Sequence, residues 1–298
     1  MQETRTTGTS RPANRGFILV TALLIVDSLH FVFARLLLPH ISPGVSAMYV
    51  LAVGTAEVAL FGLIRRRLHL RMLGQRGWFF LAIGFLVAAS TNINYEAVAF
   101  IDPGTASLLS QASILFGLGL GLFWLREKLT LTQVGGALLA VTGVFVITFQ
   151  PGAYLRLGSL LVLCSAFMYA LHAAIAKRYG EQIDFVDFFF FRLLFTTSML
   201  LLFAVVRRAL VWPSARAWPL LVLVGTVDVV ISRTLYYVVL RRFRMSIHSI
   251  VLTLSPVAAV LWSLLLFDTL PTLQEFLGGA AVILGVLIVT MRQQAREG

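Results

Sequence analysis

Charge is scarce in this sequence, and acid is scarcer still. Asp, Glu, Lys and Arg make up 12% of the 298 residues, about half the roughly 25% usual for a soluble domain, and only 13 of them are acidic. Cys164 is the single cysteine, so the chain can form no internal disulfide and no multi-cysteine metal site. No phosphate-cradling G-x-x-x-x-G-K-[ST], no H-E-x-x-H and no G-x-S-x-G occurs. No stretch is long and polar enough for a separate soluble domain. These absences argue against a primary ATP-driven pump, a zinc or serine hydrolase, and a signalling receptor. No metal and no cofactor is expected, and the chain is not expected to be an enzyme.

What fills the sequence is apolar: 59% of residues are hydrophobic and the mean hydropathy is +0.90. Apolar stretches of about 20 residues recur, the length a helix needs to cross a hydrocarbon core of roughly 30 Å. Hydropathy and polar or Gly/Pro breaks place spans at 17–38, 43–64, 77–98, 104–125, 131–149, 157–176, 185–206, 217–240, 245–267 and 273–291. They are continuously apolar, whereas barrel strands of about ten residues alternate polar and apolar. Helices are therefore expected. The first stretch follows Arg5, Arg11 and Arg15 as a secretory signal would, but it is too long and lacks a small-x-small site before Pro39; it reads as a retained helix.

The net charge of +11 does not point to nucleic acid, because the basic residues sit in short loops between spans. With the N-terminus in the cytoplasm, only Arg35, Arg156, Arg207, Arg208 and Arg216 fall outside, and Arg192 and Arg233 fall within spans. The other 17 of the 24 Lys and Arg lie inside, most densely at Arg65, Arg66, Arg67, Arg71 and Arg76. That is the positive-inside bias, and it predicts both termini in the cytoplasm.

The chain also repeats itself. A shift of 142 lays Leu29-His30 on Leu171-His172, Arg65-Arg66 on Arg207-Arg208, Gly136 on Gly278 and Gly143 on Gly285. At 141, Gly84 and Tyr95 fall on Gly225 and Tyr236, and Glu127 with Gln133 falls on Asp268 with Gln274. The expected organisation is an N-terminal repeat over 1–152 and a C-terminal repeat over 153–298. Five spans is an odd number, so the second copy must enter the membrane from the opposite side. The predicted fold is an all-α polytopic membrane protein, ten transmembrane helices as two inverted five-helix repeats around a central cavity. This is the recurring plan of secondary transporters.

These features resemble the drug/metabolite transporter superfamily, EamA type, over about Gly16 to Thr290. The carriers are Leu29-His30-Phe31-Val32 and Leu171-His172-Ala173-Ala174, the Arg-bearing Phe191-Arg192-Leu193, and Leu254-Ser255-Pro256-Val257 followed by Gly278-Gly279-Ala280. The first copy departs from the pattern where Ser113 stands for Pro256 and Val50 for Arg192. The resemblance implies a ten-helix metabolite exporter, and within the superfamily it is similar to the YddG-like bacterial amino-acid exporters.

An ionisable side chain at mid-membrane is costly and so tends to line a path or find a partner. Asp27, Glu57, Glu96, Asp228, Arg192 and Arg233 are such residues. Asp27 and His30 are three apart, on one helix face, and the repeat maps them to Tyr169 and His172. Asn92 and Tyr95 map to Arg233 and Tyr236, giving a belt of polar and aromatic groups suited to an amphipathic solute. The candidate substrate-binding residues are His30, Asn92, Tyr95, Gln111, Tyr169, His172, Arg233, Tyr236 and His248. In this reading Arg233 holds a carboxylate and Asp27 or Glu96 an amine, against the alternative of a structural pair between Arg233 and Asp228 or Glu96. Arg192, early in its span, is expected to snorkel to the interface in a structural or gating role.

The expected function is export of small metabolites, amino acids including aromatic or other apolar ones, by alternating access in a bacterial inner membrane. The expected partners are a small-molecule substrate and the lipid bilayer, with no nucleic acid and with protons as the candidate coupling ion. The competing expectation is a multidrug or cation efflux protein of the same fold.

Overall fold

The computed structural model describes residues 11–37, 39–97, 109–149, 157–267 and 272–297, and among them there is no strand. The helices are α1 (Arg11–Asp27), α2 (His30–Leu37), α3 (Pro43–Ile64), α4 (Arg71–Ala97), α5 (Ala112–Gly119), α6 (Leu131–Thr148), α7 (Leu157–Gly180), α8 (Phe185–Val206), α9 (Trp218–Val224), α10 (Arg233–Arg242), α11 (Met245–Leu252), α12 (Ser255–Phe267) and α13 (Leu273–Glu297). Helix α5 runs on into a π-helical turn, Leu120–Trp124, and a second π-helical segment, Gly225–Ser232, joins α9 to α10.

Among the described residues five helices are long and apolar enough to cross a membrane: Val45–Ile64, Arg71–Ile93, Leu157–Gly180, Phe185–Val206 and Trp218–Arg242. Ile18–Asp27, Ala112–Trp124, Leu131–Val146 and Phe276–Val289 are shorter apolar helices. Large apolar side chains such as Phe123, Leu138, Leu160, Leu265 and Phe276 point outward, which is stable only against lipid. The chain is an all-α, multi-pass membrane protein.

Several of the expected spans are broken rather than continuous, and that at 104–125 is interrupted at Gln111. The span expected at 17–38 is interrupted at Ser28 and Leu29. In lipid the carbonyls freed by such a break need donors, and the Ser28 hydroxyl (3.1 Å) and the Trp262 indole N–H (3.3 Å) both reach the Ile25 carbonyl. The same indole donates to Ser28 Oγ at 2.9 Å. The span at 245–267 breaks between α11 and α12, just before Pro256, whose missing N–H cannot continue the ladder.

Helices in lipid gain little from apolar burial against one another, so close backbone approach and interhelical polar contacts hold them. Those contacts cross the chain in an exchange pattern. A Cβ on Gly136 would lie 2.8 Å from the Gly285 carbonyl oxygen, and one on Gly143 would lie 2.6 Å from that of Gly278. Since Gly136 repeats as Gly278 and Gly143 as Gly285, residue i of one copy meets the repeat-mate of j while j meets the repeat-mate of i, the mark of a two-fold relation. Gly84 against Phe195 and Gly225 against Val53 make a second exchanged pair, both with a Cβ at 2.7 Å. Thr55 Oγ1 lies 2.9 Å from Thr197 Oγ1, two residues 142 apart that meet each other. Even the helix ends repeat: α3 and α8 finish with Arg65 and Arg207 at φ −82°, ψ −1°, followed by Arg66 and Arg208 at φ 49° and 53°.

The core between the copies is aromatic. Phe79, Phe80, Phe188, Phe191 and Tyr237 are nearly or fully buried, with Phe188 edge-on to Tyr237 at 4.9 Å and Phe79 edge-on to Phe80 at 5.2 Å.

Candidate functional site

The break at Ser28 and Leu29 and the π-helical segment 225–232 lie where polar side chains gather. Winding with i to i+5 bonding lays residues five apart one above the other, which brings Asp228 and Arg233 toward one side of the helix. The ends of α1 and α2 supply Asp27 and His30 opposite them. These four line a cavity of about 480 Å³, large enough for a metabolite-sized solute.

The four side chains form two cross-paired couples. Arg233 Nη1 lies 3.1 Å from Asp27 Oδ1, and His30 Nδ1 lies 2.8 Å from Asp228 Oδ2. Asp27 also accepts from the Ser232 hydroxyl at 3.1 Å and the Ser255 hydroxyl at 3.5 Å, and Arg233 donates to the Tyr169 hydroxyl at 3.3 Å. Asp228 is 6% exposed and its second oxygen, Oδ1, accepts nothing.

The wall also holds Ser90 and Ser165, which bind across α4 and α7 by exchange: each hydroxyl donates to the other residue's carbonyl, at 3.1 and 2.9 Å. The cavity is also lined by Arg192 of α8. That residue is 3% exposed, so it does not snorkel to the interface as expected from its position. Its guanidinium lies 5.2 Å from the Tyr237 ring centroid, and its Nε and Nη1 have no hydrogen-bond partner.

The cavity wall includes His30, Gln111, Tyr169, Arg233 and Tyr236 of the residues singled out from sequence. Two others stand one layer behind. His172 is fully buried, 4.6 Å ring to ring from Tyr169, with Nε2 3.1 Å from the Tyr237 hydroxyl. His248 packs edge-on behind Tyr236 at 4.5 Å with neither ring nitrogen partnered. Asn92 turns its amide onto the Ala88 carbonyl of its own helix at 3.0 Å and does not line the cavity. Tyr95 lies in α4, but its side chain, like that of Glu96, lies outside the described residues. Of the two structural pairings considered for Arg233, the one with Asp228 is not made; Asp27 takes that place.

Asp27, given an amine-holding role from sequence but left out of the candidate set, also lines the wall, as do Asp228, Arg192 and serines 90, 110, 113, 165 and 255. The three charged ones carried a signal, being ionisable groups inside apolar spans. A serine in such a span carries none, since small hydroxyls there serve packing equally well. Among the described residues, no group of three or more His, Cys, Asp or Glu could hold a metal ion.

Comparison with known proteins agrees with this architecture. The sequence model of the EamA-like transporter family matches twice, over residues 14–149 and 156–291, two segments that begin 142 residues apart. The uncharacterized transporter YdfC of Bacillus subtilis is 26% identical over 250 residues, 83% of this chain and 81% of that one. The uncharacterized transporter sll1164 of Synechocystis is 21% identical over 238 residues, 74% of this chain and 68% of that protein. A solved protein structure superposes with a TM-score of 0.80 at 18% identity, covering 96% of this chain and 99% of the other, a likeness of fold.

Proposed function

The chain belongs to the EamA-like transporter family, and from that premise we propose that it is a secondary exporter of small zwitterionic metabolites, amino acids foremost, working by alternating access. The observation that carries this reading is the cavity of about 480 Å³ between the two copies, whose wall holds both Asp27 and Asp228 and both Arg192 and Arg233 beside Tyr169 and Tyr236. Carboxylates suit an amine, guanidinium groups suit a carboxylate, and the aromatic faces suit an apolar or aromatic side chain.

Ten spans in two inverted repeats, divided near residue 152, accord with the double family match and the exchanged glycine contacts. An inverted pair gives one sequence two mirrored gate arrangements around a shared site. The arginine-rich segment 65–76 supports cytoplasmic termini in a bacterial inner membrane. Protons are the coupling ion in this reading, with the His30–Asp228 couple as the group that loads and unloads them.

The test is counterflow in proteoliposomes carrying the full chain, with each of the twenty amino acids as competitor. Saturable, competitive flux of at least one apolar or aromatic amino acid is expected. If none of the twenty competes, the amino-acid reading is wrong. Efflux of organic cations is the competing reading, favoured by the two carboxylates in the wall, and flux of a monoamine without any effect of amino acids would establish it instead.

A further inference from the structure

Five ionisable side chains line the central cavity, and four of them answer one another. The fifth, Arg192, has no acidic partner among the described residues. A guanidinium withdrawn from water without an anion is costly, and proteins seldom keep one unless something compensates it. The Tyr237 ring at 5.2 Å supplies a cation–π contact, which offsets part of that cost. Its repeat-mate, Val50, is an ordinary buried apolar residue, so the two-fold fold does not require a charge there. Arg192 is nonetheless 97% buried with Nε and Nη1 unpartnered, beside a cavity that a solute could enter.

We propose that Arg192 is the carboxylate anchor of the cavity, and that Arg233, held by Asp27 and Tyr169, is not. The inference rests on the transporter reading above and refines it by naming the two ends of the substrate. Behind the wall Arg192 touches Tyr237, Tyr237 meets His172 and His172 packs on Tyr169, which lines the cavity and accepts from Arg233. Three side chains therefore link the lone guanidinium to the cluster of Asp27, Asp228, Arg233 and His30. That cluster holds two carboxylates against one guanidinium and a histidine. The lone guanidinium is thus set for an anion and the cluster for a cation. A monovalent carboxylate carried with an amine fits both; a phosphate dianion would meet one free cation and two carboxylates.

The test compares L-phenylalanine, phenethylamine, which lacks the carboxylate, and phenylacetate, which lacks the amine. Binding to the purified full chain is followed by intrinsic fluorescence, for the wild type and for Arg192→Gln, Arg192→Lys and Arg192→Met. The expected result is a 10- to 100-fold weaker binding of phenylalanine and phenylacetate in R192Q, partial recovery in R192K, and phenethylamine binding changed by less than about twofold. The unliganded melting temperature of R192M should equal or exceed that of the wild type, because removing an unpaired buried charge relieves a cost.

Equal weakening of all three probes in R192Q, or a fall in the melting temperature of R192M, would overturn the proposal in favour of a structural arginine. Phenylalanine binding that R192Q leaves intact would overturn it while the amino-acid reading stands. Arg192-dependent binding of phenylacetate without any amino acid would do the reverse. If the wild type binds neither phenylalanine nor phenylacetate, both fail.

Discussion

Replacing Gly285 by alanine should loosen the α6–α13 pairing measurably, while replacing Gly135 should not. A Cβ on Gly285 would stand 2.5 Å from both the Gly136 carbonyl oxygen and the Ala140 amide nitrogen, whereas one on Gly135 would meet nothing within 4 Å. Ordinary van der Waals contact for such atoms is about 3.5 Å, so the two backbones must part by roughly 1 Å to admit the methyl. Overpacking of this kind costs about 1–3 kcal/mol, and in lipid no apolar driving force between helices recovers it. For a chain of this length that corresponds to a fall in melting temperature of roughly 2–8 °C. The gain in helix propensity, about 1 kcal/mol for glycine to alanine, works the other way and should leave Gly135→Ala neutral or slightly stabilised.

The exchange pattern adds a sharper expectation. Gly136 and Gly285 share one crossing point, so once Gly285→Ala has separated the helices there, Gly136→Ala should cost less than it does alone. Gly136→Ala and Gly143→Ala strike two different crossings and should be closer to additive. The assay is thermal unfolding of detergent-solubilised protein by intrinsic fluorescence, with the four single variants and the two doubles. Equal melting temperatures for Gly135→Ala and Gly285→Ala, or full additivity at the shared crossing, would refute the close-approach argument.

Other expectations follow from the ion pairs and caps. Asp27→Asn strips the partner from Arg233 and should cost about 1–3 kcal/mol, below the range for a fully buried pair because both side chains are 17–18% exposed; a melting-temperature cycle with Arg233→Gln should then show the double variant more stable than the sum of the singles predicts. Asp187 is fully buried and accepts from the His69 backbone N–H and Nδ1, each at 2.9 Å, so Asp187→Asn should lower the melting temperature more than His69→Ala, which keeps the backbone bond. Reversed order in the same assay would show that the imidazole is the dominant partner. Glu127 reaches across the fold to accept from the Met245 and Ser246 amides at 2.6 and 2.8 Å, and from the Ser246 hydroxyl, at the start of α11. Its replacement by alanine should cost about 1–2 kcal/mol as a lost helix cap, read as faster amide exchange at residues 245–248.

Much of this architecture was legible in the sequence because its causes are local or periodic. Helix positions follow from where apolar runs stop. The paired arginines at 65–66 and 207–208 recur with the same backbone turn because the same short segment ends the equivalent helix of each copy. Glycines spaced alike in both copies announced close packing, though not which glycine meets which. The breaks were harder to see. Ser28 and Leu29 carry no breaker, and the interruption there is sustained by Trp262, which lies 234 residues away from Ser28.

The sequence by itself determined that this is a helical membrane protein built twice over, since hydropathy and repetition are properties of the chain. Only the tertiary structure decided how its few charges are used. Asp27 could have paired within its own span or with any base in the cavity, and pairing choices made over separations of about 200 residues leave no spacing rule to read. Folding matched Asp27 to Arg233 and His30 to Asp228 because those groups come within hydrogen-bonding distance where both copies depart from regular helix. The same packing left Arg192 beside the cavity with an aromatic neighbour and no acid, a consequence of which helices touch rather than of which residues the chain contains.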